Sequence, residues 1–227
     1  MFGFRLHKEE KKSSDIVFIV LIVFLLYQLI TRYLLCPFLV NSESMMPEFV
    51  SGSRILSTPI YSASSLKRGS LVLISKQEEK YNFFQKFINS VVGFFTLQIY
   101  IPFNKQNKDS TKYLLRRIVG MPGDTIYMKD FILYVKKQGE QHFLTEFEVA
   151  ECDYNINTEE LFEGWKGELP FSGTMVTTTL KEGEYFLLSD NRLMSFDSTV
   201  IGKIDAQKDV KQKVLFRYWP LNNIKIF

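Results

Sequence analysis

Apolar and polar residues follow three different patterns along this chain, and each pattern predicts a different kind of element. In the first, residues 16–35 are apolar almost without interruption, with only Gln28, Thr31 and Arg32 breaking the run. A helix of about 20 residues rises about 30 Å, which matches the hydrocarbon core of a bilayer. The side chain of Arg32 can reach the interface from the end of such a helix. This pattern predicts a transmembrane anchor over residues 16–36.

The distribution of basic residues predicts the orientation of that anchor. Four basic residues precede it, namely Arg5, Lys8, Lys11 and Lys12. Beyond Arg32 the next basic residue is Arg54. Because basic residues are enriched on the cytoplasmic side of membrane helices, residues 1–15 are expected in the cytoplasm. The remainder, residues 37–227, is then expected on the extracytoplasmic face of the cytoplasmic membrane.

Two kinds of cleaved N-terminal segment are alternatives to an anchor. A secretory signal peptide ends in small residues, whereas residues 34–37 read Leu, Leu, Cys, Pro. A lipoprotein signal would be processed at Cys36, but the bulky Leu35 stands directly before it. We therefore interpret the apolar run as an uncleaved, single-pass anchor.

The second pattern is a series of short apolar, partly β-branched segments separated by turn residues. It begins after Ser53 and predicts strands at residues 54–56, 71–74, 113–119, 125–128, 131–135, 185–188 and 214–218. Many short strands with turns between them are typical of a mainly β domain with few helices.

Composition limits the function classes further. The chain has 227 residues, enough for one anchor and one domain with a real core, and its net charge is only +3. That charge gives no argument for nucleic-acid binding. Cys36 and Cys152 are too few for a disulfide framework or a cysteine metal site, and His7 and His142 are isolated. No motif for a metal, a nucleotide or another cofactor is present.

A serine loop follows the anchor and supplies the first candidate chemistry. It reads Ser42-Glu43-Ser44-Met45-Met46-Pro47. Proline fixes its own φ and biases Met46 towards extended geometry, so the loop is expected to be stiff around Ser44. Such a loop fits a serine nucleophile, and it also fits a plain turn before a strand.

Three later stretches decide between those interpretations. They are residues 113–124 (YLLRRIVGMPGD), residues 183–198 (GEYFLLSDNRLMSFDS) and residues 216–222 (FRYWPLN). In this order after an anchor, the four motifs resemble those of the type I signal peptidases, membrane-bound serine proteases of the bacterial leader peptidase family. The resemblance covers most of the chain from about residue 10 onward. It implies a signal-peptidase-like antiparallel β catalytic domain after a single N-terminal transmembrane helix.

The resemblance also implies roles for individual residues. The family serine motif is Ser-x-Ser-Met-x-Pro, so Ser44 falls on the nucleophile and Ser42, with Ser44, on the oxyanion hole. Ser195 and Asp197 fall on residues that support the site. The general-base lysine of the family falls on Arg116, and the arginine that braces the aspartate falls on Thr199.

The substitution at Arg116 changes the expected chemistry. A lysine can act as base when burial keeps it neutral, whereas arginine keeps its proton and offers no lone pair. Lys112 lies about 13 Å away along the strand, too far to replace it. One hypothesis is an ion pair between Arg116 and Asp197, because a buried cation requires a carboxylate.

Two functions remain open at this point. The chain is a serine endopeptidase that removes signal peptides from exported preproteins, or it is a catalytically impaired paralogue. Such a paralogue would bind signal peptides or a partner signal peptidase. Signal peptides and membrane lipid are the expected partners in both cases.

The third pattern lies in an insert at about residues 77–111. Its apolar positions follow helical spacing with one apolar face, at 83, 84, 87, 88, 91, 92, 94 and 95. The apolar stretch at 82–101 resembles a second span, but a span would separate Ser44 from residues 113–124 across the membrane. We therefore predict an interfacial helix on the outer leaflet, with a helix packed on the β domain as the alternative. A second insert, residues 140–182, is interpreted as a surface elaboration.

Overall fold

The computed structural model describes residues 3–75, 82–95, 102, 113–158, 173–194 and 196–227 of the chain. It contains two compact units. The helical unit comprises Met1–Cys36 and Lys80–Lys105, and the β unit comprises Pro37–Glu79 and Gln106–Phe227.

The helical unit contains the two long helices, α1 (Gly3–Tyr33) and α2 (Phe83–Phe95). Within α1, the 19 residues Asp15–Tyr33 are long and apolar enough to cross a membrane, and none of this segment is buried. The structure thus confirms an N-terminal apolar helix as the candidate span. It also confirms the helix expected from the spacing at residues 83–95, while residues 96–101 lie outside the described residues.

Helix α2 contacts the C-terminal half of α1 within the helical unit. Gln28 Nε2 donates a hydrogen bond to the Ser90 carbonyl oxygen at 3.2 Å, and the Phe94 ring contacts Phe24 and Tyr27. The apolar face of α2 thus packs at least partly against α1.

Within the described residues, the β unit contains twelve strands and three short α-helices. The strands are β1 (Cys36–Leu39), β2 (Arg54–Thr58), β3 (Leu71–Ser75), β4 (Tyr113–Gly120), β5 (Thr125–Lys129), β6 (Ile132–Lys136), β7 (Leu144–Thr145), β8 (Met175–Thr179), β9 (Glu184–Leu188), β10 (Ile204–Asp205), β11 (Val210–Trp219) and β12 (Lys225–Ile226). The helices are α3 (Glu146–Val149), α4 (Ser198–Ile201) and α5 (Ala206–Asp209).

The strands form two sheets. The larger sheet has eight strands in the order β1-β2-β11-β3-β4-β9-β10, with β12 also paired to β11. The smaller sheet has the order β7-β6-β5-β8. Paired strands with a described register run antiparallel, for example β3 with β4 and β5 with β6. This architecture confirms the mainly antiparallel β fold, and every strand expected from the apolar pattern is present.

The centre of the larger sheet is buried on both faces. Successive side chains of β3 point to opposite faces, so Leu71 and Leu73 join one core cluster while Val72 and Ile74 join another. β4 pairs directly with β3, and its register sets Arg116 opposite Val72. The strand thereby places Arg116 inside the sheet, where its side chain is 2% exposed.

The described part of residues 140–182 corrects the interpretation of this insert as a surface elaboration. It contributes β7, α3 and β8, and several of its side chains are buried, namely Glu146, Val149, Tyr154 and Leu180. α3 begins with a capping box formed by Thr145 and Glu148. Because most residues of the insert are polar, its few buried side chains could not be predicted from the sequence. Residues 159–172 of the insert lie outside the described residues.

Candidate active site

The Ser44 loop is held in place by its apolar neighbours. A 3-10 turn spans Glu43–Met45, and Met45 and Phe49 are fully buried in the core. Met46 adopts φ −69° and ψ 146°, which confirms the extended geometry expected before Pro47. The turn therefore presents Ser44 from a fixed backbone, and its side chain is 5% exposed.

The structure brings Ser44 and Arg116 together. Arg116 Nη1 donates a hydrogen bond to Ser44 Oγ at 3.0 Å, although 72 residues separate them in the chain. Asn191 fixes the loop from the other side: its backbone N–H donates to the Ser44 carbonyl oxygen at 2.9 Å, and its Nδ2 donates to the Glu43 carbonyl oxygen at 3.2 Å. Three separate parts of the chain thus converge on Ser44.

The guanidinium of Arg116 is held by backbone carbonyl oxygens. Nε and Nη2 donate to the Phe196 carbonyl oxygen at 3.1 and 2.8 Å, and Nη1 also donates to the Leu115 carbonyl oxygen. Burial lowers the pKa of Arg116 to about 10, while Asp197 and Asp190 act in the opposite direction. Ser44 therefore accepts a hydrogen bond from a cation at neutral pH.

The described hydrogen bonds of the Asp197 carboxylate all come from uncharged donors. Its carboxylate accepts hydrogen bonds from the Ser189 N–H at 2.9 Å, the Thr199 N–H at 3.0 Å and Thr199 Oγ1 at 2.7 Å. Thr199, at the position of the family arginine, thus supplies two of the donors, and Asp197 is the N-cap of α4. The hypothesis of an Arg116–Asp197 ion pair is wrong, because Arg116 donates to Phe196, Leu115 and Ser44 instead.

The other expected site residues are less closely involved. Ser42 is exposed, and its Oγ accepts a hydrogen bond from the Ser44 N–H at 3.2 Å as the cap of the 3-10 turn. The N–H that an oxyanion hole would use is thus engaged within the loop. Ser195 and Lys112 lie outside the described residues. The oxyanion role of Ser42 and Ser44 and the supporting role of Ser195 stay predictions.

Arg117, the neighbour of Arg116 on β4, forms a buried ion pair with Asp190. Arg117 Nε and Nη2 donate to both oxygens of Asp190 at 2.8 and 2.6 Å, and each side chain is 1% exposed. The guanidinium also donates to the Gly69 carbonyl oxygen and lies 4.2 Å from the centre of the Tyr154 ring. Residue 117 stands in the recognised motif, but no pattern in the sequence indicates its partners.

Residues 190–192, which include the Asn191 that holds the Ser44 loop, contact residues of the second insert. Tyr154 Oη and Arg192 Nη2 both donate to Glu146 Oε2, at 2.6 and 2.5 Å. Asn157 donates its N–H to the Asp190 carbonyl oxygen, and its own carbonyl oxygen accepts from the Arg192 N–H. Burial, then the adjacent Glu146 carboxylate, raises the pKa of Tyr154, so its hydroxyl stays a donor. Sequence reasoning missed this network, since its members are scattered polar residues.

The C-terminal motif holds the other end of the serine loop. Arg217, which is 2% exposed, donates to the Glu48 carbonyl oxygen and to both Asn223 oxygens, and pairs with Glu48 Oε1 at 3.3 Å. Its guanidinium also lies 5.0 Å from the centre of the Phe49 ring. These contacts fix the chain directly after Pro47.

The chemistry offered by this arrangement is that of a serine hydroxyl beside a fixed cation. Within the described residues, no group of three or more His, Cys, Asp or Glu side chains is placed to hold a metal ion. A buried serine with an adjacent donor is suited to forming an ester with a carbonyl carbon, because the cation stabilises the developing alkoxide.

Comparison with known proteins identifies the family. The family model described as signal peptidase, peptidase S26, matches residues 13–219. Signal peptidase IB of Staphylococcus aureus is 25% identical over 219 residues, which is 95% of this chain and 94% of the relative. Signal peptidase I of Streptococcus pneumoniae is 33% identical over 138 residues, covering 53% of this chain and 67% of the relative. The chain therefore belongs to the signal peptidase family, peptidase S26.

Proposed function

We propose that this protein is a membrane-anchored serine endopeptidase that removes signal peptides from exported preproteins, with Ser44 as its nucleophile. The observation that carries the proposal is the 3.0 Å hydrogen bond between Ser44 Oγ and the residue at the family's base position. Family membership over nearly the whole chain and the names of the relatives support the substrate class.

The proposed reaction passes through an ester on Ser44. Ser44 Oγ attacks the scissile carbonyl carbon, the peptide C–N bond breaks, and the leaving amine takes a proton. Water then attacks the ester carbonyl, releases the signal peptide and returns the proton to Ser44. Arg116 holds Oγ and stabilises negative charge on it, but a protonated guanidinium takes no proton. The acceptor for the Ser44 proton is therefore a separate group, or Arg116 itself when pH approaches 10.

Ser44→Ala is expected to abolish cleavage. The full-length protein in detergent is incubated with a preprotein, and the product is identified by its new N-terminus. Removal of the Oγ atom prevents ester formation, so loss of product to the background rate is expected. Ser64→Ala is the matched control, because Ser64 is an exposed serine in the same unit.

Two results would contradict parts of this proposal. Cleavage by the Ser44→Ala variant at the native rate would remove Ser44 as nucleophile. A native protein that binds signal peptides but cleaves none would favour the alternative, a catalytically impaired paralogue that binds signal peptides or a partner peptidase.

We further propose that the N-terminus is cytoplasmic and that the β unit lies on the extracytoplasmic face of the cytoplasmic membrane. The basic residues that precede the apolar span Asp15–Tyr33 support this orientation. Protease added outside intact protoplasts is expected to degrade the β unit and leave an N-terminal fragment starting at Met1. A β unit protected until the membrane is permeabilised would contradict the orientation. A mature N-terminus at Cys36 would contradict the anchor.

A further inference from the structure

Helix α2 runs antiparallel to the C-terminal half of α1. One contact is the hydrogen bond between Gln28 of α1 and Ser90 of α2. The next is between the rings of Phe24, four residues earlier in α1, and Phe94, four residues later in α2. The centroid of the Phe94 ring lies 5.2 Å from that of Phe24 and 5.1 Å from that of Tyr27. Gln28, one of the few polar residues of the span, thus has a partner on α2, as membrane helices require.

These contacts determine how deep α2 lies when α1 crosses a bilayer. Gln28 and Phe24 precede Tyr33, the end of the candidate span, by five and nine residues. At 1.5 Å per residue they lie about 7.5 and about 14 Å below that end. The hydrocarbon core is about 30 Å thick, so Phe94 reaches about the middle of it.

The polar residues of α2 are confined to its first part. In sequence, Asn82 precedes the helix and its polar positions are Gln85, Lys86, Asn89 and Ser90, whereas residues 91–95 read Val, Val, Gly, Phe, Phe. A helix lying on a membrane surface keeps a polar face along its whole length. A helix that enters the hydrocarbon from one end shows the distribution seen here.

The connections of the insert decide which way it leaves the membrane. Ser75, the last residue of β3, pairs with Tyr113, the first residue of β4, so the insert departs from and returns to one point of the sheet. The 13 residues of α2 rise about 20 Å, less than the hydrocarbon thickness. In sequence, residues 104–112 (NKQNKDSTK) are again polar. The two ends of the insert, Ser75 and Tyr113, therefore lie on the same side of the membrane.

We propose that α2 is a re-entrant membrane helix that packs beside α1, contacts lipid acyl chains through Phe87 and Phe95, and places Phe84 at the membrane interface. These three side chains are, in that order, 53%, 72% and 67% exposed, so they are open to lipid. This replaces the expectation of a helix lying flat on the outer leaflet. The inference rests on the proposed orientation of α1, and it gives the β unit two membrane attachments instead of one.

Depth measurements at exposed positions test the inference. The full chain carrying Cys36→Ser and Cys152→Ser is reconstituted into phosphatidylcholine–phosphatidylglycerol vesicles. Phe84→Cys and Phe95→Cys are introduced singly, labelled with a nitroxide, and compared for collisions with oxygen and with a water-soluble nickel chelate. We expect the label at 95 to lie about 16 Å deeper than the label at 84. Equal depths would show a surface helix, and nickel access at both would show a helix in water; either result overturns the proposal.

Disulfide cross-linking tests the contact with α1 independently. Phe24→Cys combined with Phe94→Cys is expected to cross-link on mild oxidation, because the two rings are in contact. Phe24→Cys combined with Phe87→Cys is the control, and we expect no cross-link because residue 87 lies seven residues, about 10 Å along the axis of α2, from residue 94. Equal cross-linking of both pairs would contradict the packing. Protease mapping of α1 distinguishes failure of this inference from failure of the proposed orientation. If α1 spans the membrane but the label at position 95 is shallow, only the re-entrant helix is contradicted.

Discussion

Arg116→Lys is expected to raise the rate of preprotein cleavage. General-base assistance contributes about 10²–10⁴-fold in rate, and the native residue cannot supply it at neutral pH. A lysine at this position starts from the same strand register and enters the same buried environment next to Ser44. Burial disfavours the ammonium form, so a neutral amine becomes available to take the Ser44 proton.

The acidic neighbours limit this gain. Asp197 and Asp190 favour the cationic form at residue 116, and they would raise the pKa of a lysine there as they do that of Arg116. Thr199→Arg adds a cation near Asp197 and is expected to lower that pKa. The double variant is therefore expected to exceed Arg116→Lys in cleavage at neutral pH.

The pH dependence of kcat/KM identifies the base. For Arg116→Lys we expect kcat/KM to rise tenfold per pH unit and to level off at the pKa of the lysine. If Arg116 acts as base in the native protein, the rise continues to about pH 10. Arg116→Leu is the control, since it removes the cation and offers no base. A native rate that Arg116→Leu leaves unchanged would contradict any role for residue 116.

The fold was accessible from the sequence where burial produces a regular pattern. β3 is apolar at four successive positions because both of its faces are buried, and α2 has an apolar face at helical spacing. Residue 116 lies in β4, within the strand expected at residues 113–119. These features depend on residues close together in the chain.

The parts that sequence reasoning missed depend on contacts between distant residues. Asn191 holds the Ser44 loop through 2.9 and 3.2 Å hydrogen bonds, and Tyr154 reaches Glu146 inside an insert that looks like polar surface. The pairing of α2 with α1 likewise cannot be read from the sequence, because an apolar helix face fits contact with lipid and contact with another helix equally well. A sequence shows which residues are polar. Whether a polar side chain is buried depends on the partner that satisfies its hydrogen bonds, and the sequence does not show that partner.

Asp190→Ala is expected to destabilise the protein by about 3–5 kcal/mol, because it leaves the buried Arg117 cation without its carboxylate. Arg117 and Asp190 are each 1% exposed and joined by two hydrogen bonds. Unfolding of the full chain by urea in detergent, followed by tryptophan fluorescence, measures the change. The matched control is Glu151→Ala, which breaks the Lys67–Glu151 pair, whose side chains are 57% and 53% exposed. That change is expected to cost less than about 1 kcal/mol.

A double substitution separates the loss of attraction from the cost of an unpaired charge. Burial raises the pKa of Asp190, and the hydrogen bonds from Arg117 oppose this rise, so the ionised pair retains a large desolvation cost. Replacing both charges, Arg117→Met with Asp190→Leu, is therefore expected to restore much of the stability lost in Asp190→Ala. If the double variant is as unstable as Asp190→Ala, the packing of Arg117 on Tyr154 and its bond to Gly69 stabilise this region instead. Cleavage should fall in both variants, because residue 190 precedes Asn191, which holds Ser44 in position.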